Sequence, residues 1–438
     1  MILLKFTVRN HRSIRDEVSV DLSRPCLRTL TPKDGDWLSA TYRVAGIFGG
    51  NGTGKSAVVD ALNFALRAVA ESSTSWQALL SMQRVQFRLD AASRDDSSTY
   101  ELEFVADGRR HVYGFEIDAC GVKREWLRDV PSSRWRTLLD RDRDARTLKP
   151  SVEVTDRELV LSRALQLPKS LFHGVAVELT AHFDVVLVHH AHREARLAAI
   201  ANMLADGSIT FVDLQSLLQV ADIGVANVSL EERDLPEHLR VAIGNFMRAM
   251  NVGEGSREEV QREPLEGPDV RDQPLLESVV RRLLFTHCGA DDGCTPFSIH
   301  DESDGTVAWL AIAVPALEAL RTGGLILVDE IDASLHPHLL DLLLGAFADR
   351  EVNVLGAQII FTSHESYVLS PLSEVSLQPE QVWFTDRSVE GVTELTSLAD
   401  FPRHADANVA KRYLTGRYGG TPRLSPSLFG ALVDTGAE

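Results

Sequence analysis

Apolar and polar positions alternate loosely over residues 2–9, which therefore read as a first strand. Asn10-His11-Arg12-Ser13-Ile14 interrupts the alternation as a turn, and residues 18–22 resume it as a second strand. A loop holding Pro25, Pro32 and Gly35 then leads into an apolar run over residues 42–48. Residues 57–66 change period: apolar side chains recur at helical spacing until Ser72-Ser73-Thr74-Ser75 ends the pattern. Alternation returns between 85 and 140, predicting strands over 85–89, 99–105, 111–117 and 123–127, with turns at Asp107-Gly108 and Cys120-Gly121. Residues 155–250 are mostly helical by spacing, with no heptad run long enough for a long coiled coil. Residues 251–274 are polar and rich in Gly and Pro, the pattern of a surface linker. Beyond them, 325–328 and 359–362 are short apolar runs with β-branched residues, which read as buried parallel strands.

The junction of the run at 42–48 with the helix at 57–66 is Gly49-Gly50-Asn51-Gly52-Thr53-Gly54-Lys55-Ser56, a complete G-x-x-x-x-G-K-S. Strand, glycine loop and helix are the context in which backbone N–H groups turn inward around phosphates and the helix N-terminus adds partial positive charge. Lys55 is placed to reach the β- and γ-phosphates of ATP, and Ser56 to offer a hydroxyl to Mg²⁺.

The run 325–328 ends in Asp329-Glu330, an apolar strand delivering two carboxylates. Asp329 is positioned to hold the metal and Glu330 to orient and polarise the attacking water. Glu302-Ser303-Asp304-Gly305-Thr306 precedes a helix over 307–320. Taken alone it is an N-cap and turn, although a Ser-x-Gly at a helix start also presents a hydroxyl and an N–H to a phosphate. Asp332 follows in Asp332-Ala333-Ser334-Leu335-His336-Pro337, and Thr362-Ser363-His364 follows the next strand, where His364 is placed to donate to a γ-phosphate.

Composition narrows the classes. Of 438 residues 44% are hydrophobic and 25% charged, an ordinary globular balance with core enough for two or three domains. No run nears the 18 apolar residues of a membrane span, no signal-peptide core forms at the start, and four cysteines without a framework suit a reducing cytoplasm. The formal charge of −18 disfavours general polyanion binding, so nucleic acid is a possible partner that charge does not indicate. The Arg-rich stretch 124–146 has aspartates interleaved and reads as a solvated face. His189, His190 and His192, with His182 upstream, lack the Cys or carboxylate company of a zinc site and fit a polar surface better. His287, Cys288, Cys294 and His300 lack paired C-x₂-C spacing, and 289–293 reads as a hairpin loop.

The order of these motifs resembles ABC-type ATPases of the SMC/Rad50/RecF kind. Its wording is similar to the AAA15 family of bacterial ATPases, which includes the RloA and AriA phage-defence ATPases. The matching pieces are residues 5–14, Tyr113-Gly114-Phe115, 301–306, 328–337, 358–365 and the tail 413–422, so the resemblance runs nearly end to end and is weakest between about 130 and 275. It implies an α/β, ABC-type P-loop head with a parallel core sheet and an antiparallel flank, carrying an inserted helical subdomain. The expected parts are 1–150 with the phosphate loop, 151–274 as helical insertion and linker, and 275–438 with the remaining motifs.

The resemblance further implies a composite site between two copies paired head to tail. Asn51, Gly52, Thr53, Gly54, Lys55 and Ser56 would act in cis, Ser303 and Gly305 in trans, and Asp332 would couple the sites. Arg12 sits where related heads place a residue near the nucleotide; Gln83 and Gln86 compete as the glutamine of the Q-loop. The implied activity is slow ATP hydrolysis in a cytoplasmic anti-phage switch controlling a separately encoded effector, a nuclease foremost. The alternatives are a DNA-repair or DNA-tethering ATPase and, less well matched, a transporter's ATPase subunit.

Overall fold

The computed structural model describes residues 1–79, 82–187, 190–221, 224–234, 279–288, 294–402 and 408–421. The linker expected at 251–274, the helical run expected at 239–250, and His189 lie outside the described residues, as do the side chains of His190, His192, Cys288, Cys294 and His300. The chain forms two compact units, one of residues 1–192 and 311–438 and the other of 193–310.

The first unit holds two sheets. One is antiparallel, built from β1 (Ile2–Arg9), β2 (Val18–Asp21), β4 (Ser98–Ala106), β5 (Arg109–Asp118), β6 (Gly121–Asp129), β7 (Arg136–Asp142) and β8 (Thr147–Lys149), in the order β2-β1-β4-β5-β6-β7-β8. The alternation of 2–9 becomes β1, whose alternate side chains are buried against its neighbours. The stretch 124–146, read as a solvated face, supplies the end of β6, where a strand was expected, and also β7. Arg136 is exposed and pairs with Asp129 at 2.6 Å, whereas Arg141 is buried 3.5 Å from the wholly buried Glu125.

The second sheet runs β16-β15-β3-β14-β13-β9, from β3 (Val44–Phe48), β9 (Phe183–Leu187), β13 (Leu325–Asp329), β14 (Gln358–Ser363), β15 (Val382–Arg387) and β16 (Thr393–Ser397). β9, β13, β14, β3 and β15 are mutually parallel, and β16 closes the edge antiparallel to β15. β3, β13 and β14 are buried at every position, which explains their unbroken apolar runs. The helical region was not expected to supply a strand, yet β9 adds to this sheet beside β13.

Helix α1 (Lys55–Glu71) shares one core with both sheets. Val58, Leu62 and Val69 of α1 cluster with Phe6 and Tyr100 of the antiparallel sheet and with Ile47 of the parallel one. Gln358 ties the sheets directly: its side chain accepts from the Leu3 amide at 2.6 Å and donates to the Leu3 carbonyl at 2.9 Å and the Tyr42 carbonyl at 3.1 Å. Residues 85–89, expected as a strand, join neither sheet. Asn10 takes over their pairing by accepting from the Phe87 amide at 2.9 Å, while the Arg12 amide donates to the Val85 carbonyl at 2.7 Å. The smaller helices are α2 (Ala91–Asp95), α3 (Val160–Leu165) and α4 (His173–Thr180).

The second unit is not only helical. Beside α5 (His190–Asp206, entering from the first unit) and α6 (Phe211–Val220) it holds an antiparallel sheet of β10 (Val225–Asp234), β11 (Val279–Cys288) and β12 (Cys294–Ser298). β11 and β12 pair with Cys288 opposite Cys294, and residues 289–293, read as a hairpin loop, lie outside the described residues. α7 (Asp304–Thr322) follows, then α8 (Pro337–Ala348) and α9 (Val409–Leu414) in the first unit.

Candidate functional site

The phosphate loop leaves the buried end of β3 and enters α1 through Gly54, whose φ of 105° is open to glycine and strained for other residues. A Cβ there would lie 1.9 Å from Thr393 Oγ1, and one on Gly49 would lie 2.3 Å from Thr385 Oγ1. Two threonines of the neighbouring strands thus grip the loop. Thr385 Oγ1 is 2.7 Å from Thr53 Oγ1, and Thr393 Oγ1 donates to the Thr53 carbonyl at 3.1 Å. Lys55 folds back over the loop and donates to the carbonyls of Gly49 at 2.8 Å and Gly50 at 3.1 Å. Burial lowers its pKa, opposed by Glu330, Asp329 and Asp332, so all three carboxylates lie within electrostatic reach of this ammonium. Asn51 and Gly52 form the exposed rim of the loop.

Ser56 Oγ donates to Asp329 Oδ1 at 3.0 Å. Thr362, wholly buried at the end of β14, donates to the same oxygen at 2.6 Å and accepts the Glu330 amide at 2.7 Å. One hydroxyl from the adjacent strand thereby fixes both members of the Asp-Glu pair. Glu330 leaves the strand with φ 55°, a left-handed conformation that turns its side chain away from the direction the ladder would give. Sequence reading placed Thr362 beside His364 without a role; only the parallel register of β13 and β14 reveals it.

Asp332 and His364 meet within the same chain, His364 Nδ1 standing 3.0 Å from Asp332 Oδ2. The contact is ionic in distance but lacks hydrogen-bond alignment, and both Asp332 oxygens are buried without a hydrogen bond. Glu365 brings a carboxylate oxygen into the same group. Ser303 and Gly305 belong to the second unit. There Ser303 caps α7, its Oγ accepting the Thr306 amide at 3.1 Å, and the neighbouring Glu302 pairs with His287 at 2.7 Å. His287 is thus engaged by a carboxylate and the ring of Phe297.

Arg12 takes φ 49° in the turn after β1 and clasps Asp60 of α1 with Nε and Nη2, the latter at 2.9 Å from Oδ1. His11, fully buried beside it, joins Asp60 at 2.8 Å through Nε2 and the Tyr100 hydroxyl at 2.8 Å through Nδ1. Burial lowers the His11 pKa more than Asp60 raises it. Burial also works against the Asp60 charge, but His11 and Arg12 outweigh it and hold that carboxyl below its ordinary value. Neutral His11 therefore carries its proton on Nε2, facing the carboxylate. The triad pins the start of the chain to the side of the phosphate-loop helix, one and a half turns beyond Lys55. Gln83 is exposed and Gln86 half-buried.

The C-terminal tail also reaches this site. The Gly50 amide donates to the Gly420 carbonyl. Tyr418 and Tyr413 stack on Phe384 with centroids 4.9 and 5.4 Å away, and Phe384 lies opposite Phe48 in the β15–β3 register. Burial pushes the Tyr413 hydroxyl up to about 12, with Asp332 and Glu365 adding to the rise and the Gly49 amide opposing it.

The donor set fits ATP and Mg²⁺. The Ser56 hydroxyl and the Asp329 carboxylate are hard oxygen donors 3.0 Å apart, suited to bracketing one small cation. No helix among the described residues is long and apolar enough to cross a membrane.

Among solved structures the chain is similar to one titled "Crystal structure of the SmcHead bound to the C-winged helix domain of ScpA", at 13% identity and a TM-score of 0.41, over 91% of this chain and 97% of that one. At that TM-score the likeness supports no argument about this chain. No curated protein matches it in sequence. The family described as "AAA domain, putative AbiEii toxin, Type IV TA system" matches residues 44–370, which takes in the phosphate loop, Asp329, Glu330 and His364. With that match spanning well over half of 438 residues, the chain belongs to this family of AAA ATPase domains.

Proposed function

We propose that this chain is an ABC-type ATPase of the AAA15 kind that hydrolyses ATP slowly as a switch in anti-phage defence, controlling a separately encoded effector, a nuclease foremost. The observation that carries the ATPase reading is the hydrogen-bonded chain Ser56–Asp329–Thr362–Glu330, set against Lys55 in the glycine loop. Lys55 neutralises the β- and γ-phosphates once it exchanges the Gly49 and Gly50 carbonyls for phosphate oxygens. Ser56 and Asp329 would hold Mg²⁺, which supplies charge neutralisation to the phosphates. Glu330 takes the proton of the attacking water as it adds to the γ-phosphorus and ADP departs. His364 is placed to donate toward the γ-phosphate, with Asp332 beside its Nδ1.

The site is completed by a second copy of the chain. Ser303 and Gly305 sit at the N-terminus of a 19-residue helix, where amide donors and dipole suit a phosphate. Slow turnover at such a closure site suits a switch, in which binding selects the closed assembly and hydrolysis resets it. The family description, with its toxin of a Type IV TA system, supports a setting in which one component restrains another.

The test is a pull-down from native cells of Glu330→Gln with ATP and Mg²⁺ present, beside phage challenge of cells carrying the gene with its neighbours. A stoichiometric second protein and protection of the host are the expected results. Retained DNA with no protein partner, or no protection against any phage, overturns the defence reading and favours the DNA-tethering one. Absence of phosphate release from ATP by the wild type overturns the ATPase reading itself.

A further inference from the structure

Acidic residues outnumber basic ones by 63 to 45 in this chain, and several described arginines, among them Arg9, Arg15, Arg110 and Arg143, sit against carboxylates. At the end of β3 remote from the phosphate loop, Arg24, Arg43 and Arg350 line a cavity of about 340 Å³ together with Tyr42, Ser376 and Gln378. No Asp or Glu is among its described lining residues.

Each of these arginines is held in place by a neutral oxygen. Arg43 Nη1 donates to the Asp349 carbonyl at 3.4 Å, Arg24 Nε to the Thr41 carbonyl at 3.3 Å, and Arg350 Nη1 to Ser39 Oγ at 3.3 Å. Arg24 also lies 4.7 Å above the centroid of Tyr42. A guanidinium has five N–H donors, so these contacts leave most of each fork uncommitted. The nearest acids act from outside the lining: Glu380 accepts the Tyr42 hydroxyl at 3.3 Å, and Asp36 faces Arg350 from beyond it. Burial, then Arg350 and Arg24, press the Arg43 pKa down, and Asp36 and Asp349 oppose the fall only in part.

We propose that this cavity is a second anion site, distinct from the phosphate loop, that takes the diphosphate group of a small phosphorylated ligand through Arg24, Arg43 and Arg350. Converging planar forks match phosphate oxygens two at a time. A cavity of this size falls in the range of small-ligand sites, roughly 300–1,000 Å³. The charge of a diphosphate complements three guanidiniums whose described cavity lining holds no carboxylate.

The test uses the full chain carrying Lys55→Ala, which disables the phosphate loop, with inorganic pyrophosphate as the probe in isothermal titration. Saturable binding at one site is expected, weakened about tenfold or more when Arg43→Gln is added. Arg43→Gln in the otherwise native chain is expected to leave the KM for ATP unchanged. Should Arg43→Gln fail to fold, Arg24→Gln serves the same comparison. No pyrophosphate binding by Lys55→Ala, or binding that neither arginine substitution weakens, overturns the proposal. So does binding of a ten-nucleotide single strand without binding of pyrophosphate, which would assign the cavity to a nucleic-acid backbone instead.

Discussion

The Thr362 hydroxyl does two things at once, donating to Asp329 and accepting from the Glu330 amide. Thr362→Val keeps the shape and removes both bonds, leaving the Glu330 amide without this acceptor at about 1–3 kcal/mol and Asp329 Oδ1 with Ser56 as its remaining donor. Turnover is expected to fall by about tenfold to a hundredfold, with ATP affinity changed far less, because the misplaced group is the one proposed to orient the water. Phosphate release and nucleotide titration on the same preparation separate the two effects. Glu330→Gln is expected to lower turnover by roughly 10²- to 10⁴-fold while ATP still binds; hydrolysis at the wild-type rate would place the base elsewhere. His11 sets a pH limit. Its folded pKa lies below that of the unfolded chain, so acid favours the unfolded chain, which takes up the proton first. Its contribution to stability is complete above about pH 6.5 and drains away as pH falls through that value toward the lower folded one. The thermal midpoint should therefore drop between pH 7.5 and 5.5, and drop less in His11→Gln, as differential scanning fluorimetry can show.

At the scale of elements, the phosphate loop is held from three sides: α1 behind it, Thr385 and Thr393 from β15 and β16, and the tail residues Tyr418–Gly420 above. Gly420 has φ 68°, and a Cβ there would meet the Thr385 carbonyl at 2.6 Å and Gly49 Cα at 3.2 Å. Gly420→Ala is expected to push the tail off the loop and raise the KM for ATP by about tenfold, with kcat changed less. An unchanged KM would mean that the tail merely rests there.

The loop itself was legible in the sequence because its chemistry demands contiguous residues at fixed spacing, and so were the carboxylates at the end of β13. The grip of Thr385, Thr393 and Gly420 was not, since it arises from strand register across more than 300 residues. The strands β7 and β8 escaped notice because their charges mask the alternation. Arg136 pairs with Asp129 of the neighbouring β6, and Arg143, just past β7, with Asp118 of β5, so charges that read as solvated are paired across the sheet. β9 is short and only partly buried, too weak in pattern to stand out between helical segments.

On the scale of the molecule, ATP is expected to assemble copies of the chain head to tail. Lys55→Ala should stay in its nucleotide-free state at any ATP concentration, and Glu330→Gln should accumulate in the closed assembly; light scattering after size-exclusion chromatography reads both. Equal masses with and without ATP for Glu330→Gln would show that the site is complete within one copy.

The order of strands in the parallel sheet has a consequence for how the protein is made. β3 is wedged between β14 and β15, whose residues are numbered above 357, while its own are numbered below 49. As the chain leaves the ribosome, the strand that leads into the phosphate loop therefore has no lateral neighbour until Gln358–Ser363 has emerged, and lacks its second until Val382–Arg387 follows. Five consecutive apolar positions with open edges must wait through that interval, a period in which such segments invite misassociation. The non-local pairings that close the sheet also make folding slow once synthesis ends. Truncated chains ending before residue 358 should consequently be bound by chaperones or aggregate, even though every residue of the phosphate loop is present in them.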